Sequence, residues 1–175
     1  MPLKYVGLRK DVRYLGELSE DNPHSVVIAV HPFFIWSNSY PPRRAKDFLE
    51  NMDRNIIIGR ADPSQKKISK FVKTYKGPII VLEGVDSVQR TAKVFEILGK
   101  TNDTYFVSTE NQHPEPLVGW DPILTFLTQF RQPFQLIGGY RTGCLEITQN
   151  TLEGIRSFKV NGHRFKTEVL EDLTF

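Results

Sequence analysis

The chain has very little cysteine: Cys144 is the one thiol among 175 residues. One thiol cannot form an internal disulfide, and no cysteine–histidine cluster has the spacing of zinc ligands. No apolar run approaches the roughly 20 residues of a membrane helix, and the N-terminus lacks the basic, apolar and small-residue regions of a signal peptide. We therefore expect a soluble cytoplasmic protein without a membrane anchor, bound metal or cofactor.

Common catalytic and nucleotide-binding motifs are also missing. The chain has no Walker pattern, no G-x-G-x-x-G, no G-x-S-x-G and no H-E-x-x-H. The glycine-rich segment 138–143 lies between a predicted strand and a helix, as phosphate-binding turns do, but it matches neither phosphate motif. What is present is an ordinary globular composition, with 39% hydrophobic and 25% charged residues, which excludes disordered, collagen-like and coiled-coil chains.

Apolar runs alternate with amphipathic stretches along the chain, which is typical of βα units with a parallel sheet. The runs predict strands at 25–30, 56–58, 79–82, 104–107 and 134–137. Helical periodicity follows most of them. We predict a single α/β domain over residues 1–175, with a doubly wound, mostly parallel sheet of about five strands in a Rossmann-like three-layer arrangement.

The C-terminal part has a different pattern. Asn161-Gly162 separates two short apolar segments, 158–160 and 164–165. This dipeptide favours the type I′ turn of a β-hairpin. The sequence therefore predicts that the sheet ends in an antiparallel pair.

Positive charge is concentrated in the first part of the chain, where residues 1–76 hold 14 basic and 8 acidic side chains. Five lysines lie on one amphipathic segment, the lysine helix 64–76, which faces solvent or binds a polyanion. The aromatic loop 33–40 offers a second interaction surface and makes a homo-oligomer plausible. Nucleic acid is an unfavoured partner, since no recognition motif accompanies the lysines.

In open parallel sheets, ligands bind beyond the carboxyl ends of the strands. Polar and aromatic residues follow each predicted strand, so we predict a site for a small-molecule ligand at this edge. Its candidate ligand-binding residues are Phe34, Trp36, Arg60, Asp62, Glu83, His113 and Arg141. Polar loops occur at strand ends of every α/β protein, so each residue also has a purely structural interpretation.

Cys144 is the candidate nucleophile, because the free N–H groups and dipole of a helix start favour a thiolate, and Arg141 would add to the effect. His31 follows the first predicted strand and precedes a proline, where it would act as acid or base. Both residues have structural alternatives: a small buried hydrophobe for the cysteine, and a histidine ordered by neighbouring aromatics.

The segment from Pro122 to Gly154 carries I-L-T-F-L, then Q-L-I-G-G, then T-G-C-L-E-I-T. It resembles the isochorismatase-like cysteine hydrolases, in which a strand ends in glycine and a nucleophilic cysteine begins the next helix. The resemblance implies that Cys144 is the nucleophile. Where that family has an aspartate and a lysine, this chain has His31 and, after a later strand, Thr109 and Glu110. His31 with Glu110 would then activate the thiol, or hydrolysis has been lost and a pocket kept.

These observations favour a small-molecule-binding domain, with hydrolysis of an ester or amide by Cys144, His31 and Glu110 as its chemistry. The alternative is a non-catalytic binding or assembly domain that uses the aromatic loop 33–40 or the lysine helix 64–76.

Overall fold

The computed structural model describes residues 4–6, 25–34, 42–100, 103–110, 113–130, 132–154 and 165–175. In this part of the chain, six strands form one sheet with the spatial order β1-β4-β3-β2-β5-β6, and every neighbouring pair is parallel. The strands are β1 (Lys4–Val6), β2 (Val27–Val30), β3 (Ile79–Gly84), β4 (Thr104–Thr109), β5 (Phe134–Gly138) and β6 (Thr167–Val169). The prediction of an α/β fold with a parallel sheet is confirmed.

Helices pack on both faces of this sheet. They are α1 (Ala45–Glu50), α2 (Met52–Ile57), α3 (Pro63–Thr74), α4 (Val88–Ile97), α5 (Asp121–Leu127) and α6 (Cys144–Leu152). Successive residues of β2 face opposite sides: Ile28 packs with the apolar side chains of α5 and α6, whereas Val27 packs with those of α1 to α4. Since both faces of the central strands are buried, these strands read as continuous apolar runs.

The prediction of a strand at residues 56–58 is wrong. Ile56 and Ile57 belong to α2, and Ile57 is 83% exposed. A run of three apolar residues does not distinguish a strand from the last turn of a helix. Between β2 and β3, the described residues therefore form three α-helices, α1, α2 and α3.

The predicted antiparallel end of the sheet also differs from the observed one. The Asn161-Gly162 turn lies outside the described residues. The strand that follows it, β6, pairs in parallel with β5 through Phe134 and Thr167. The described sheet therefore ends in a parallel strand at this edge, and β1, which the apolar pattern did not predict, forms the other edge.

Helix α3 begins with a capping box at Asp62. The Ser64 N–H donates to Asp62 Oδ1 at 2.8 Å, and the Asp62 N–H donates to Gln65 Oε1 at 3.0 Å. These bonds satisfy two backbone groups at the helix start. On the inner face of α3, Ile68 and Val72 are fully buried.

Replacing the capping aspartate, Asp62→Ala, is expected to lower the free energy of unfolding by about 1–2 kcal/mol, because the N-cap bond is lost. Urea denaturation measures the change. Gln89→Ala, an exposed change within α4, is the control. Equal stability of the two variants would show that the capping box contributes nothing.

Within the described residues, no helix is both long enough and apolar enough to cross a membrane.

Candidate functional site

The strand order changes direction at β2. The chain runs from β2 to β3 and then to β4 on one side, and then places β5 and β6 on the other side of β2. In open parallel sheets, ligands bind beyond the carboxyl ends of the strands at such a change of direction, which here is the edge formed by the ends of β2 and β5. His31 follows β2 there, and Gly138 is the last residue of β5.

His31 is buried at the end of β2. Its backbone N–H donates to the Leu82 carbonyl at 2.8 Å, and Nε2 lies 3.3 Å from Thr109 Oγ1. The Thr109 hydroxyl donates to the Glu110 carbonyl at 3.0 Å, so Nε2 is the donor in the pair with Thr109 and Nδ1 carries the lone pair of the ring. Burial, with a smaller effect of nearby His113, lowers the pKa of His31 to about 4. The imidazole is therefore neutral at neutral pH.

Glu83 is completely buried in β3, the strand next to β2, which His31 follows. The Thr91 hydroxyl donates to Oε2 at 2.7 Å, and the Gly84 N–H donates to Oε1 at 3.0 Å. Burial raises the pKa of the Glu83 carboxyl to about 7, although both hydrogen bonds and the charge of Arg90 oppose the shift. The carboxyl therefore exchanges a proton close to neutral pH.

Cys144 is the first residue of α6, as predicted, and its half-buried side chain packs against the apolar cluster beneath α5 and α6. Burial raises the pKa of the thiol, a backbone hydrogen bond lowers it, and the nearby Glu83 carboxylate raises it. The helix start was expected to lower the pKa of this thiol. The expectation is not met, because burial raises the pKa more than the backbone hydrogen bond lowers it. Arg141, expected to assist, lies with its Nε 3.0 Å from Glu171 Oε1. The thiol is protonated at neutral pH and needs a base.

Tyr140 and Asp62 also reach this edge. Burial raises the pKa of the Tyr140 phenol, and the charges of Asp62 and Cys144 add to the shift. Asp62 was predicted here as a residue that follows a strand, but it is the start of α3 that brings it close to Tyr140. The ring of Tyr140 lies edge-on to Phe175, 6.0 Å between centroids.

The loop after β4 folds back on the end of that strand. Thr109 and Pro116 form an isolated antiparallel bridge, and Trp120 Nε1 donates to Glu115 Oε2 at 3.1 Å. His113 is exposed in this loop, and its Nδ1 accepts from the Glu115 N–H at 3.3 Å. These bonds attach the described part of this loop to the end of β4, so they favour a fixed surface loop over a lid that closes on a ligand.

Other predicted residues lie apart from this group or outside the described residues. Arg60 is exposed after α2 and does not follow a strand. Phe34 is half-buried, 6.3 Å from the His31 ring, and its carbonyl accepts from Gln65 Nε2. Trp36 lies outside the described residues. Glu110 is exposed at the end of β4, and its catalytic role stays a prediction.

Parts of the two alternative interaction surfaces, the lysine helix 64–76 and the aromatic loop 33–40, contact other residues of the chain. Lys66 pairs with Asp53, and Lys67 Nζ lies 3.5 Å from Asp172 Oδ1, so two lysines of the helix face acids. Phe33, in the aromatic loop, is buried against Phe95 with 1% of its surface exposed. Polyanion binding and assembly stay predictions.

Sequence reasoning missed Thr91 as a partner of the site. A usable signal is present: Thr91 lies on the buried face of α4 with Val88, Ala92 and Phe95, where it carries a hydroxyl group. An acid at the end of an apolar strand requires such a partner when it is buried.

Comparisons of this chain with protein-family models, with curated proteins and with solved structures give no match, so the resemblance to the isochorismatase-like cysteine hydrolases stays a hypothesis.

Proposed function

We propose that this protein binds a small molecule at the carboxyl edge of its sheet and that Cys144 attacks an ester or amide carbonyl there. The observation that carries the proposal is that a histidine, a buried acid and a thiol lie within or after three neighbouring strands, β2, β3 and β5, and that the Glu83 charge raises the pKa of the Cys144 thiol. The strand order supports classing the fold as doubly wound, three-layer and Rossmann-like.

Glu83, in place of the expected His31 and Glu110, is the proposed base. Its carboxylate takes the thiol proton, the thiolate adds to the carbonyl carbon, and the leaving alcohol or amine receives that proton as the acyl thioester forms. Water then adds to the thioester and gives its proton to Glu83. Collapse of this adduct releases the acid and the thiolate, which recovers the proton. A carboxyl with a pKa of about 7 is suited to both transfers.

His31 serves in this proposal as a neutral binding group. With a pKa of about 4, it is a weaker base than Glu83 at neutral pH. Its Nδ1 lone pair is available to accept an N–H or O–H group of the ligand. The protein is thus proposed as a hydrolase without metal or cofactor.

The catalytic part is tested with p-nitrophenyl acetate as the ester probe. Cys144→Ser is expected to reduce hydrolysis to the rate of the uncatalysed reaction, because a serine hydroxyl is far less acidic than a thiol. Absorbance of released p-nitrophenolate measures the rate. Thr142→Ser, an exposed change two residues earlier, is the control. Hydrolysis at the wild-type rate by Cys144→Ser would end the nucleophile proposal.

A further inference from the structure

Exposed apolar side chains occur at the edge of the sheet that carries the proposed site. Among the described residues, six large apolar side chains are exposed. Three of them follow β3, β4 and β5: Val85 at 50% exposure, Leu117 at 51% and Tyr140 at 43%. The other three, Ile57, Ile58 and Ile97, lie at the ends of α2 and α4.

Backbone hydrogen bonds hold two of these residues, Val85 and Leu117, at the end of β4. The Val85 N–H donates to the Thr109 carbonyl at 3.1 Å, and the Leu117 N–H donates to the Ser108 carbonyl at 2.9 Å. Val85 and Leu117 are therefore both fixed at the end of β4, beside the threonine that contacts His31. Their exposure does not come from a free segment.

Tyr140 is held on the opposite side of β2. Its carbonyl accepts from the N–H groups of Gly143 at 3.0 Å and Leu145 at 3.3 Å, which ties it to the first turn of α6. Because β2 lies between β3 and β5, the three apolar residues follow strands on both sides of β2, the strand that His31 follows.

The groups within this rim are polar and buried. His31 is 4% exposed, and Glu83 and Thr109 are completely buried. An apolar rim beside a few buried polar groups is the usual make-up of a small-molecule pocket, in which the polar groups orient the ligand and the apolar surface supplies affinity. Water is a poor partner for Val85 and Leu117, so a ligand that covers them gains the free energy of that burial.

We infer that the site selects carbonyl compounds that carry an aryl or branched aliphatic group next to the reacting carbonyl, and that Val85 and Leu117 are the residues that select it. The inference rests on the proposed function, since it assigns the substrate class of the same site. Tyr140 forms the facing side of the rim. Small acyl groups such as acetyl leave the rim uncovered and bind more weakly.

The test compares phenylacetamide with acetamide as probes, in titrations that are followed in ¹H–¹⁵N NMR spectra and completed before hydrolysis of either amide is detectable. Wild-type protein is expected to bind phenylacetamide more tightly than acetamide. Val85→Thr with Leu117→Asn is expected to weaken phenylacetamide binding about 10-fold, since about 1.4 kcal/mol of apolar contact is lost. Binding of acetamide is expected to stay unchanged. The matched control, Ile57→Asn with Ile97→Asn, removes exposed apolar groups elsewhere and is expected to change neither affinity.

Equal wild-type affinity for the two amides, or no binding of either, would overturn the inference. So would a wild-type dimer that the Val85 and Leu117 changes convert to monomer in sedimentation, because the rim would then be a contact between copies. Thermal melts check that the variants fold. The catalytic test can fail independently of the binding test. If the Cys144→Ser variant still hydrolyses p-nitrophenyl acetate, the nucleophile proposal is wrong, but the binding result is unaffected.

Discussion

Replacing Gly138 by alanine is expected to destabilise the protein by about 3 kcal/mol or more. Gly138 has φ +77°, and a Cβ at this position would lie 2.5 Å from the Val30 carbonyl oxygen and 3.0 Å from Pro32 Cα. The positive φ costs a non-glycine residue about 1–2 kcal/mol. Overpacking adds about 1–3 kcal/mol, because the facing atoms are backbone and cannot rotate away. The close approach of β5 to the end of β2, which forms one wall of the proposed site, therefore depends on glycine.

The control for this prediction is Gly99→Ala. Gly99 has φ +71°, but nothing lies within 4 Å of the position that a Cβ would take. The Gly99→Ala change therefore measures only the backbone cost of a positive φ, and we expect it to lower the free energy of unfolding by about 1 kcal/mol. Urea denaturation compares the two variants. Equal losses would show that the contact with Val30 and Pro32 is absent in solution.

Glu83 and His31 are expected to give the stability opposite dependences on pH. The pKa of Glu83 rises from 4.5 to about 7 on folding, so the folded state holds that proton more tightly and stability falls as pH rises through this window. The pKa of His31 falls from 6.5 to about 4, so the unfolded state takes up the proton first and stability is lost as pH falls. Each shift corresponds to about 3 kcal/mol. The two effects oppose each other and largely cancel between pH 4.5 and 6.5.

Single substitutions are expected to expose each effect. In Glu83→Gln, stability is expected to rise by about 3 kcal/mol as pH increases from about 4 to 6.5, because only His31 contributes. In His31→Asn, stability is expected to fall by a similar amount from pH 4.5 to about 7. Asparagine suits this position because His31 has φ 44°.

Chemical denaturation at intervals across this pH range measures both slopes, and the double variant, in which both slopes vanish, is the control. A Glu83→Gln variant with the pH profile of the wild-type protein would contradict the prediction. It would mean that the buried carboxyl keeps its ordinary pKa.

The local pattern predicts most of the sheet correctly where a strand is long and apolar. Runs such as 79–82 identify central strands because both faces of a parallel sheet exclude water. The amphipathic pattern of the lysine helix is also local, and it agrees with α3, in which Ile68 and Val72 are buried. The same reasoning failed at Ile56, since three apolar residues fit either a strand or a helix. It missed β1, whose three residues provide too short a pattern.

The site is predicted less well than the fold, because its properties depend on segments that are distant in the chain. A cysteine at a helix start predicts a lowered thiol pKa, yet burial and Glu83, 61 positions earlier in the sequence, raise it. Arg141 was expected beside the thiol and pairs with Glu171, 30 positions later. Periodicity reports which side of an element is buried, but it does not report which partner covers it.

The sequence by itself determined the α/β class, the central strands and the start of α6 at Cys144. These features follow from local backbone preference and from the exclusion of water, which each segment expresses independently. The tertiary structure alone decided the strand order, the pairing of Thr91 with Glu83 and the protonation of His31, Glu83 and Cys144. The pKa of each group is set by its burial and by charges on other elements, and both arise only when those elements pack together.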